Sequence, residues 1–543
     1  MTRTESSPDK YDADVAIIGY GPSGVVAASY LGMAGISTVV LEKDKDLYVR
    51  ARAVTVNDWT LRIFQDFGID KRVKADMDPC RSITWKTYAN KLVFRIHPKP
   101  DVLGQPSAMM IYQPELEAEI RRNAEQYDSL DVRFGHRFTG LAPTAEGVTV
   151  SATDADGGEY TLRARYVLGA DGGSSLVRQE TGLELVGETR PRRWLVIDGE
   201  VLNWWPECNE LVFWADPERP VVDIPLAKGN HRWEIPLSAE ETDKDYDTEE
   251  SIWPLLKMLG IDERNARITG WAFYSHHLRH LEEWRNGRTV LIGDASHLMP
   301  PWAGQGMQSG IRDAQNAAWK LEALSKGLIG DGLLDTVQAE RWPHVKMLTE
   351  MSARLGQLVE ADKPAVVKLR NAVGPLVMRL PGVNRVLQPN SEQNRFERGW
   401  VTGTPSRKNA LGRMIPQPEV YDSRGRVMPL DNLIGQGFVV LGLDKDPRAA
   451  MTQRQREDWT RLGARFMTVQ RSSATSDEGD IVVDHTGSLR AWLSRFRTSV
   501  VVLRPDRFVA AADPSGLDVP PPRGNLDPPT RPAVTAVPTR IHA

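Results

Sequence analysis

Residues 13–44 read ADVAIIGYGPSGVVAASYLGMAGISTVVLEKD. VAIIG is a short run rich in β-branched residues, which predicts a strand. YGPSG is a glycine turn, and VVAASYLGMAG predicts a helix that opens on it. ISTVVLEKD predicts a second strand. The βαβ unit takes about thirty residues, the size that motif needs. Within it Gly19-Tyr20-Gly21-Pro22-Ser23-Gly24 has GxGxxG spacing. Gly19 permits the tight turn, Gly21 lets the backbone approach a pyrophosphate, and Gly24 lets the helix pack close to the strand. The helix N-terminus offers free N–H groups and the positive end of a dipole to the phosphates. Glu42 closes the second strand at the spacing of a carboxylate that binds ribose hydroxyls. A Gly-rich turn beside a surface Glu is the plainer alternative. The strand before, the helix after and the acid at the end together favour a dinucleotide site, for NAD or FAD.

Outward from this unit, composition narrows the class. A chain of 543 residues is expected to form about two to four domains, or one large fold with an appendage. Lys and Arg number 68 against 72 Asp and Glu, a net charge of -4. A general nucleic-acid binder needs a basic face, so no nucleic-acid partner is expected. Cys80 and Cys208 are the only cysteines. That argues against a disulfide framework, a cysteine-built zinc site or an iron–sulfur cluster; no metal is expected. No apolar run approaches the ~18–20 residues of a bilayer span. The start, MTRTESSPDKYDAD, lacks the apolar core of a signal peptide. A cytoplasmic protein with no membrane partner is therefore expected. Sixteen Trp allow an aromatic-lined pocket, although core packing explains any single one as well.

Residues 1–10 are expected to be a disordered tail. Residues 11–185 read as the first part of the nucleotide-binding domain, with 76–112 lending strands to a second domain. Residues 186–280, containing RRWLVIDGEV, ELVFWAD and HRWEIPL, predict an inserted antiparallel sheet. Residues 281–345 return to the first domain through RTVLIGDASH and the helix GIRDAQNAAWKLEALSKG. Residues 346–427 predict helix and linker, 428–512 a compact α/β appendage, and 513–543 a Pro-rich extended or disordered tail.

Two later stretches decide between the dinucleotides. One is YVLGADGGSSLVR, residues 166–178; the other is VLIGDASHLMPPWAGQGM, residues 290–307. With the glycine loop they resemble, in order, spacing and strand–helix context, the three fingerprints of the single-component FAD-dependent aromatic hydroxylases, the group A flavoprotein monooxygenases. The resemblance implies an α/β fold: a Rossmann-like FAD-binding domain, an inserted antiparallel-sheet substrate domain like that of para-hydroxybenzoate hydroxylase, and a C-terminal thioredoxin-like domain lacking CxxC. It also implies roles. Asp294, at a strand end, accepts a hydrogen bond from a ribityl hydroxyl of FAD. Gly304-Gln305-Gly306-Met307 opens a helix whose N–H groups face the flavin pyrimidine edge, where donors stabilise negative charge on the reduced ring. The Asp171 turn serves FAD and the nicotinamide coenzyme. Arg52 lies over the pyrophosphate and ribityl chain, and Gln113 touches the flavin side chain.

The likeness extends to ARAVTVNDWTLRIFQDFGI, WADPERP, LLDTVQAERWPH and VVVLRPDRFVAA. Within the family it looks closest to the branch of 3-(3-hydroxyphenyl)propionate hydroxylases and phenol hydroxylase-like monooxygenases. Gln308 replaces a usual Asn, Asn57 an Asp and Ser296 an Ala, and Asn203-Trp204-Trp205-Pro206-Glu207 is unlike the relatives. These departures bear on the substrate rather than on the flavin. The implied reaction is hydroxylation of a phenolic substrate ortho to its hydroxyl. O2 and NADH or NADPH are consumed, the nicotinamide visits transiently, and a flavin C4a-hydroperoxide is the oxygen donor. A homodimer is expected. Oxidative denitration of a nitrophenol or oxygenation of a polycyclic phenol would use the same flavin. A non-catalytic FAD-binding protein is the third possibility, against which the intact Gly304–Met307 loop argues.

On the phenol side, Tyr274 and His276 share a strand face by period two. His276 is a candidate acceptor of the phenol hydrogen bond, and Trp302 a candidate wall of the ring site. Arg193, Arg219 and Arg232 are candidate partners of a substrate carboxylate, since Arg holds carboxylates bidentately. Asp58 is expected to cap the helix WTLRIFQDF.

Overall fold

The computed structural model describes residues 11–47, 52–98, 103–217, 219–360, 364–377, 394–472 and 480–526. The expected tail at 1–10, part of the 346–427 region and residues 527–543 of the Pro-rich tail lie outside the described residues. The chain is a mixed α/β protein with three large sheets.

The first sheet is built on Ala13–Ile18, whose residues are almost all buried. Burial on both faces is what a parallel strand covered by helices needs, and it explains the near-continuous apolar run. Ala13–Ile18 pairs in parallel with Thr38–Glu42 on one side and Glu159–Gly169 on the other. Thr289–Leu291 adds in parallel beyond Glu159–Gly169. The C-terminal ends of these four strands therefore lie along one edge. They carry Gly19, Glu42, Ala170 and Gly293 onward. Ligands of open parallel sheets bind at that edge.

The second sheet runs, in spatial order, His297–Leu298, Ala266–Leu281, Leu185–Val201, Asn230–Pro236, Val221–Pro225, Leu211–Trp214, Ile83–Lys86 and Leu92–Ile96. Alternation divides its side chains. Leu195, Ile197, Trp233 and Ile235 pack on one face with Trp253 and Leu256 of the helix Glu249–Lys257. Trp194, Phe213, Val222 and Ile224 pack on the other with Trp302 and Val359. That second face looks toward the first domain.

The third sheet, with Val439–Leu443 among its inner strands, is covered on both faces. Leu489 and Leu493 of the helix Ser488–Arg495 pack on one side. On the other, Val440 and Ala511 meet Trp319 of the long helix Gly306–Ser325. Buried ion pairs complete the junction. Arg504 holds Glu340 at 2.6 Å, Glu340 holds Lys320 at 2.7 Å, and Arg507 holds Asp66 at 2.8 Å.

Two local expectations change. Asn57, not Asp58, caps the helix Asp58–Asp66: its backbone is extended and its Oδ1 accepts from Thr60 N at 3.3 Å. Asp58 is already helical and accepts from Trp59 N at 2.9 Å. Residues 513–526 begin the Pro-rich stretch as packed chain. Trp459 Nε1 donates to the Leu517 carbonyl at 2.7 Å, and Asn525 Oδ1 accepts from Gly399 N at 2.7 Å. Among the described residues no helix is long and apolar enough to cross a membrane, and no group of three or more His, Cys, Asp or Glu could hold a metal ion.

Candidate active site

The three fingerprints meet at the shared edge of the first sheet. Gly19 has φ +95°, and a Cβ there would lie 2.6 Å from the Ala170 carbonyl oxygen, so the glycine loop sits directly on the Asp171 turn. A Cβ at Gly24 would lie 2.0 Å from the Gly19 carbonyl oxygen, which is the close helix approach the motif requires. Ser23 Oγ, in the first turn of Pro22–Met33, fills the space where Gly293 and Gly310 lack a side chain; added Cβ atoms there would stand 2.6 and 2.2 Å from it. By contrast nothing lies within 4 Å of a Cβ at Gly21, so the backbone there faces open space at a helix N-terminus.

The other cofactor candidates are placed as follows. Glu42 Oε2 accepts from Tyr20 N at 2.7 Å and Oε1 from Asp44 N at 3.0 Å. The carboxylate is thus fixed at the strand end and keeps lone pairs for further donors. Gln113 is buried, and its Oε1 accepts from the backbone N–H of Arg52 at 2.7 Å and of Ala53 at 2.6 Å. It shapes the Arg52 loop. Asp171 accepts from Ser175 Oγ at 2.6 Å and Val177 N at 3.1 Å, which organises its own turn. Asp294 is exposed, yet enough neighbouring atoms surround it that desolvation raises its carboxyl above the usual range. Gly304 takes φ +60°, Gln305 is the N-cap, and the long helix starts at Gly306 with Met307 packed on the first-domain core. An open backbone at one helix N-terminus, a second helix N-terminus and a desolvated carboxyl at this edge of the sheet form a donor and acceptor set that fits FAD.

Across from them stands the inner face of the second sheet. Tyr274 Oη donates to Glu234 Oε2 at 2.8 Å. Burial raises both groups, Glu234 above the usual carboxyl range and Tyr274 well above the usual phenol. Arg232 grips Asp198 at 2.8 and 3.0 Å and also donates to the Arg52 carbonyl at 3.2 Å, linking this face to the cofactor loop. His276 shares the face with Tyr274, ring centroids 5.3 Å apart. Its ring stacks on Trp194 at 5.2 Å and meets Trp302 edge-on at 5.1 Å. Burial pushes it down to about 4, so it is neutral near pH 7, and its Nε2 has no hydrogen-bond partner among the described residues. Trp302 is buried; a Cβ at Gly356 would lie 2.3 Å from its Nε1.

The three candidate arginines are already engaged: Arg193 with Asp243, Arg219 with Glu241 at 2.5 Å, and Arg232 with Asp198. Glu234 was missed from sequence because a carboxylate in HRWEIPL looks like a solvated strand charge. Period two, counted from the apolar Trp233 and Ile235, would have put Glu234 and Arg232 on one face.

Comparison with known proteins gives the family. A family model described as an FAD binding domain matches residues 12–352, and one described as the HcaD C-terminal domain matches residues 412–519. A 3-(3-hydroxy-phenyl)propionate/3-hydroxycinnamic acid hydroxylase of Mycobacterium sp. (strain JLS) is 34% identical over 514 residues, covering 93% of this chain and 90% of the relative. The enzyme of the same name from Paraburkholderia xenovorans (strain LB400) is 31% identical over 550 residues, covering 92% and 88%. The fold is shared with the flavin-dependent monooxygenase PieE, solved with FAD and substrate: TM-score 0.75 at 22% identity, covering 93% of this chain and 96% of that one. By sequence over nearly its whole length, the chain belongs to the FAD-dependent aromatic hydroxylases and is an FAD-dependent monooxygenase.

Proposed function

We propose that this chain hydroxylates a phenolic ring ortho to its hydroxyl group. One oxygen atom of O2 enters the ring, the other leaves as water, and NADH or NADPH with one proton supplies the two electrons. FAD, when bound, carries those electrons and activates the oxygen. Gly21 and the first helix N-terminus hold its pyrophosphate, Glu42 a ribose, Asp294 the ribityl chain, and Gly304–Met307 the ring edge. Gln113 positions Arg52 above this path, and the Asp171 turn lines it.

The observation that carries the proposal is the Tyr274–Glu234 hydrogen bond on the sheet face shared with His276 and packed against Trp302. A phenol that donates to Tyr274 Oη can pass its proton through Tyr274 to Glu234, leaving an electron-rich phenolate. A buried, raised carboxylate is the stronger base for that step. His276, Trp194 and Trp302 wall the ring and exclude water. The C-terminal sheet, in which Arg465–Gln470, Val439–Leu443, Val500–Leu503 and Val509–Ala512 lie side by side, supports a thioredoxin-like layer without thiol chemistry, since both cysteines lie elsewhere.

A second reading, oxygenation of an uncharged polycyclic phenol, is favoured by one observation. All three candidate arginines already have carboxylate partners, and Glu234 adds a further acid to the inner face.

The test is a panel of phenols given to the FAD-loaded protein, scored by NADH or NADPH oxidation and product mass. Matched acid and amide forms of 3-hydroxyphenylpropionate belong in the panel. A gain of one oxygen supports the proposal, and preference for amides or polycyclic phenols the second reading. Nitrite release would replace hydroxylation by denitration. FAD bound with no turnover on any phenol would overturn both readings.

A further inference from the structure

An irregularity in one strand brings arginines to the ring site. Leu185–Val201 runs antiparallel to Ala266–Leu281, with Thr189 opposite His277 and Arg193 opposite Ser275. Three residues, Arg190-Pro191-Arg192, therefore stand against His276 alone. Such a bulge breaks the alternation of the strand and re-aims its side chains. Pro191 is tolerated there because a bulged residue owes no N–H to the ladder. Arg190 turns to Glu360, Nη1 to Oε2 at 3.1 Å, with the two side chains 24% and 14% exposed.

Glu360 reaches the same place from another element. It ends the helix Asp335–Val359, and its N–H donates to the Gly356 carbonyl at 2.8 Å. Gly356 closes on Trp302, and Val359 packs with Trp194 and Trp302. The pair thus stands beside the wall made by His276, Trp194 and Trp302, and its charges are felt there. Burial first and the Arg190 charge second depress His276. Burial and Glu234 raise Tyr274, and Glu360 adds to them. Arg192 draws on the same carboxylate as Arg190, yet desolvation outweighs both and holds Glu360 above the usual carboxyl range.

An uncharged polar substituent beside this pair can accept from Arg190 or donate to Glu360 and leave the two together. A carboxylate on the substrate has to displace Glu360 from Arg190, which sets two carboxylates side by side in a site poor in water. We propose that Glu360 is a specificity-determining residue: by occupying Arg190 at the edge of the ring site, it turns away phenols with an acid side chain and admits those with an uncharged polar one. Without the Glu360 carboxylate, Arg190 would hold such an acid instead, since Arg binds carboxylates bidentately. The inference rests on the reading above that the phenol lies between Tyr274 and Trp302, and it gives the preference for uncharged substrates a residue.

The test uses 3-hydroxyphenylpropionate and its amide with the intact FAD-loaded protein. Calorimetry gives the dissociation constant of each, and oxidation of NADH or NADPH gives each kcat/KM. The wild type is expected to favour the amide. In Glu360→Gln the acid-to-amide ratio is expected to rise about tenfold or more in both measurements, the scale of one hydrogen-bonded charge pair. Adding Arg190→Gln to Glu360→Gln is expected to cancel most of that gain. Glu360→Ala should move the ratio the same way, and it decides should Glu360→Gln not fold. A merely structural Glu360 would lower the melting temperature of its variants and weaken both ligands alike. An unmoved ratio, or a wild type that favours the acid, overturns the proposal. FAD-loaded protein that binds neither ligand nor any other phenol would instead sink the underlying functional reading, and the proposal with it.

Discussion

Glu234 is a carboxyl whose role depends on one neighbour. On a solvated strand it would be an ordinary surface acid. Buried beneath Tyr274, it becomes a base held at one hydrogen bond from a phenol-like oxygen. Glu234→Gln and Tyr274→Phe are each expected to lower turnover of neutral phenols about 100-fold, the scale of a lost acid–base group. Nitrophenols already ionised at the assay pH should be spared, and FAD content should be unchanged. Equal losses on both substrate types would remove the proton role. The pH profile follows from the same residue. Because Glu234 is raised, it gains its proton at higher pH than a free Glu does. The acid limb of kcat/KM is expected above the ~4.3 of a free Glu and should be absent in Glu234→Gln. His276, depressed to about 4, contributes no limb between pH 5 and 8. His276→Phe, which keeps an aromatic ring between Trp194 and Trp302, should retain most activity; a loss as deep as that of Glu234→Gln would make His276 the acceptor instead.

At the scale of elements, the cofactor cleft depends on how closely two helices approach. Pro22–Met33 and Gly306–Ser325 touch through Ser23 and Gly310, with Gly293 between them. A methyl at Gly310 would stand 2.2 Å from Ser23 Oγ and 3.1 Å from the Gly293 backbone. Overpacking of this kind costs about 1–3 kcal/mol, and here it also spreads the glycine loop from the Asp294 turn. Gly310→Ala is expected to weaken FAD binding by about tenfold or more, in proportion to that cost. Removing the hydroxyl with Ser23→Ala in the same chain should restore part of it, measured by titrating apo-protein with FAD. Undiminished affinity in Gly310→Ala would show that the helices can separate without cost.

Over the whole molecule, buried charges fasten the C-terminal layer to the cofactor domain. Glu340 holds Lys320, Asn316 and Arg504 and also accepts from Trp400 N. Arg504 and Lys320 hold Glu340 down at about 2. A depressed carboxyl stabilises fully above its unfolded value of ~4.3. That stability is withdrawn as pH falls from there towards about 2. Glu340→Gln takes the carboxylate from buried Lys320 and leaves Arg504 with Asp506 alone, and is expected to cost ~3–5 kcal/mol. Calorimetry should show a lower melting temperature at pH 7 and a flatter loss of stability below pH 4.3 than in the wild type. An unchanged melting temperature would mean that the Glu340 pairs add nothing to what the packing of Trp319, Trp400 and Phe438 and the Arg507–Asp66 pair supply.

The sequence by itself determined the glycine loop, Glu42, the Asp171 and Asp294 turns and the helix start at Gly304–Met307. Each is a local pattern of turn residues and periodicity, because φ, ψ and helix polarity are set by neighbours along the chain. Tyr274 and His276 were placed on one face by the same local rule. Only the tertiary structure decided what those groups meet. Glu234 and Tyr274 are 40 residues apart, and Arg190 and Glu360 are 170 apart. Whether a charge is buried or paired depends on surfaces brought together by packing, and no stretch of adjacent residues contains that information.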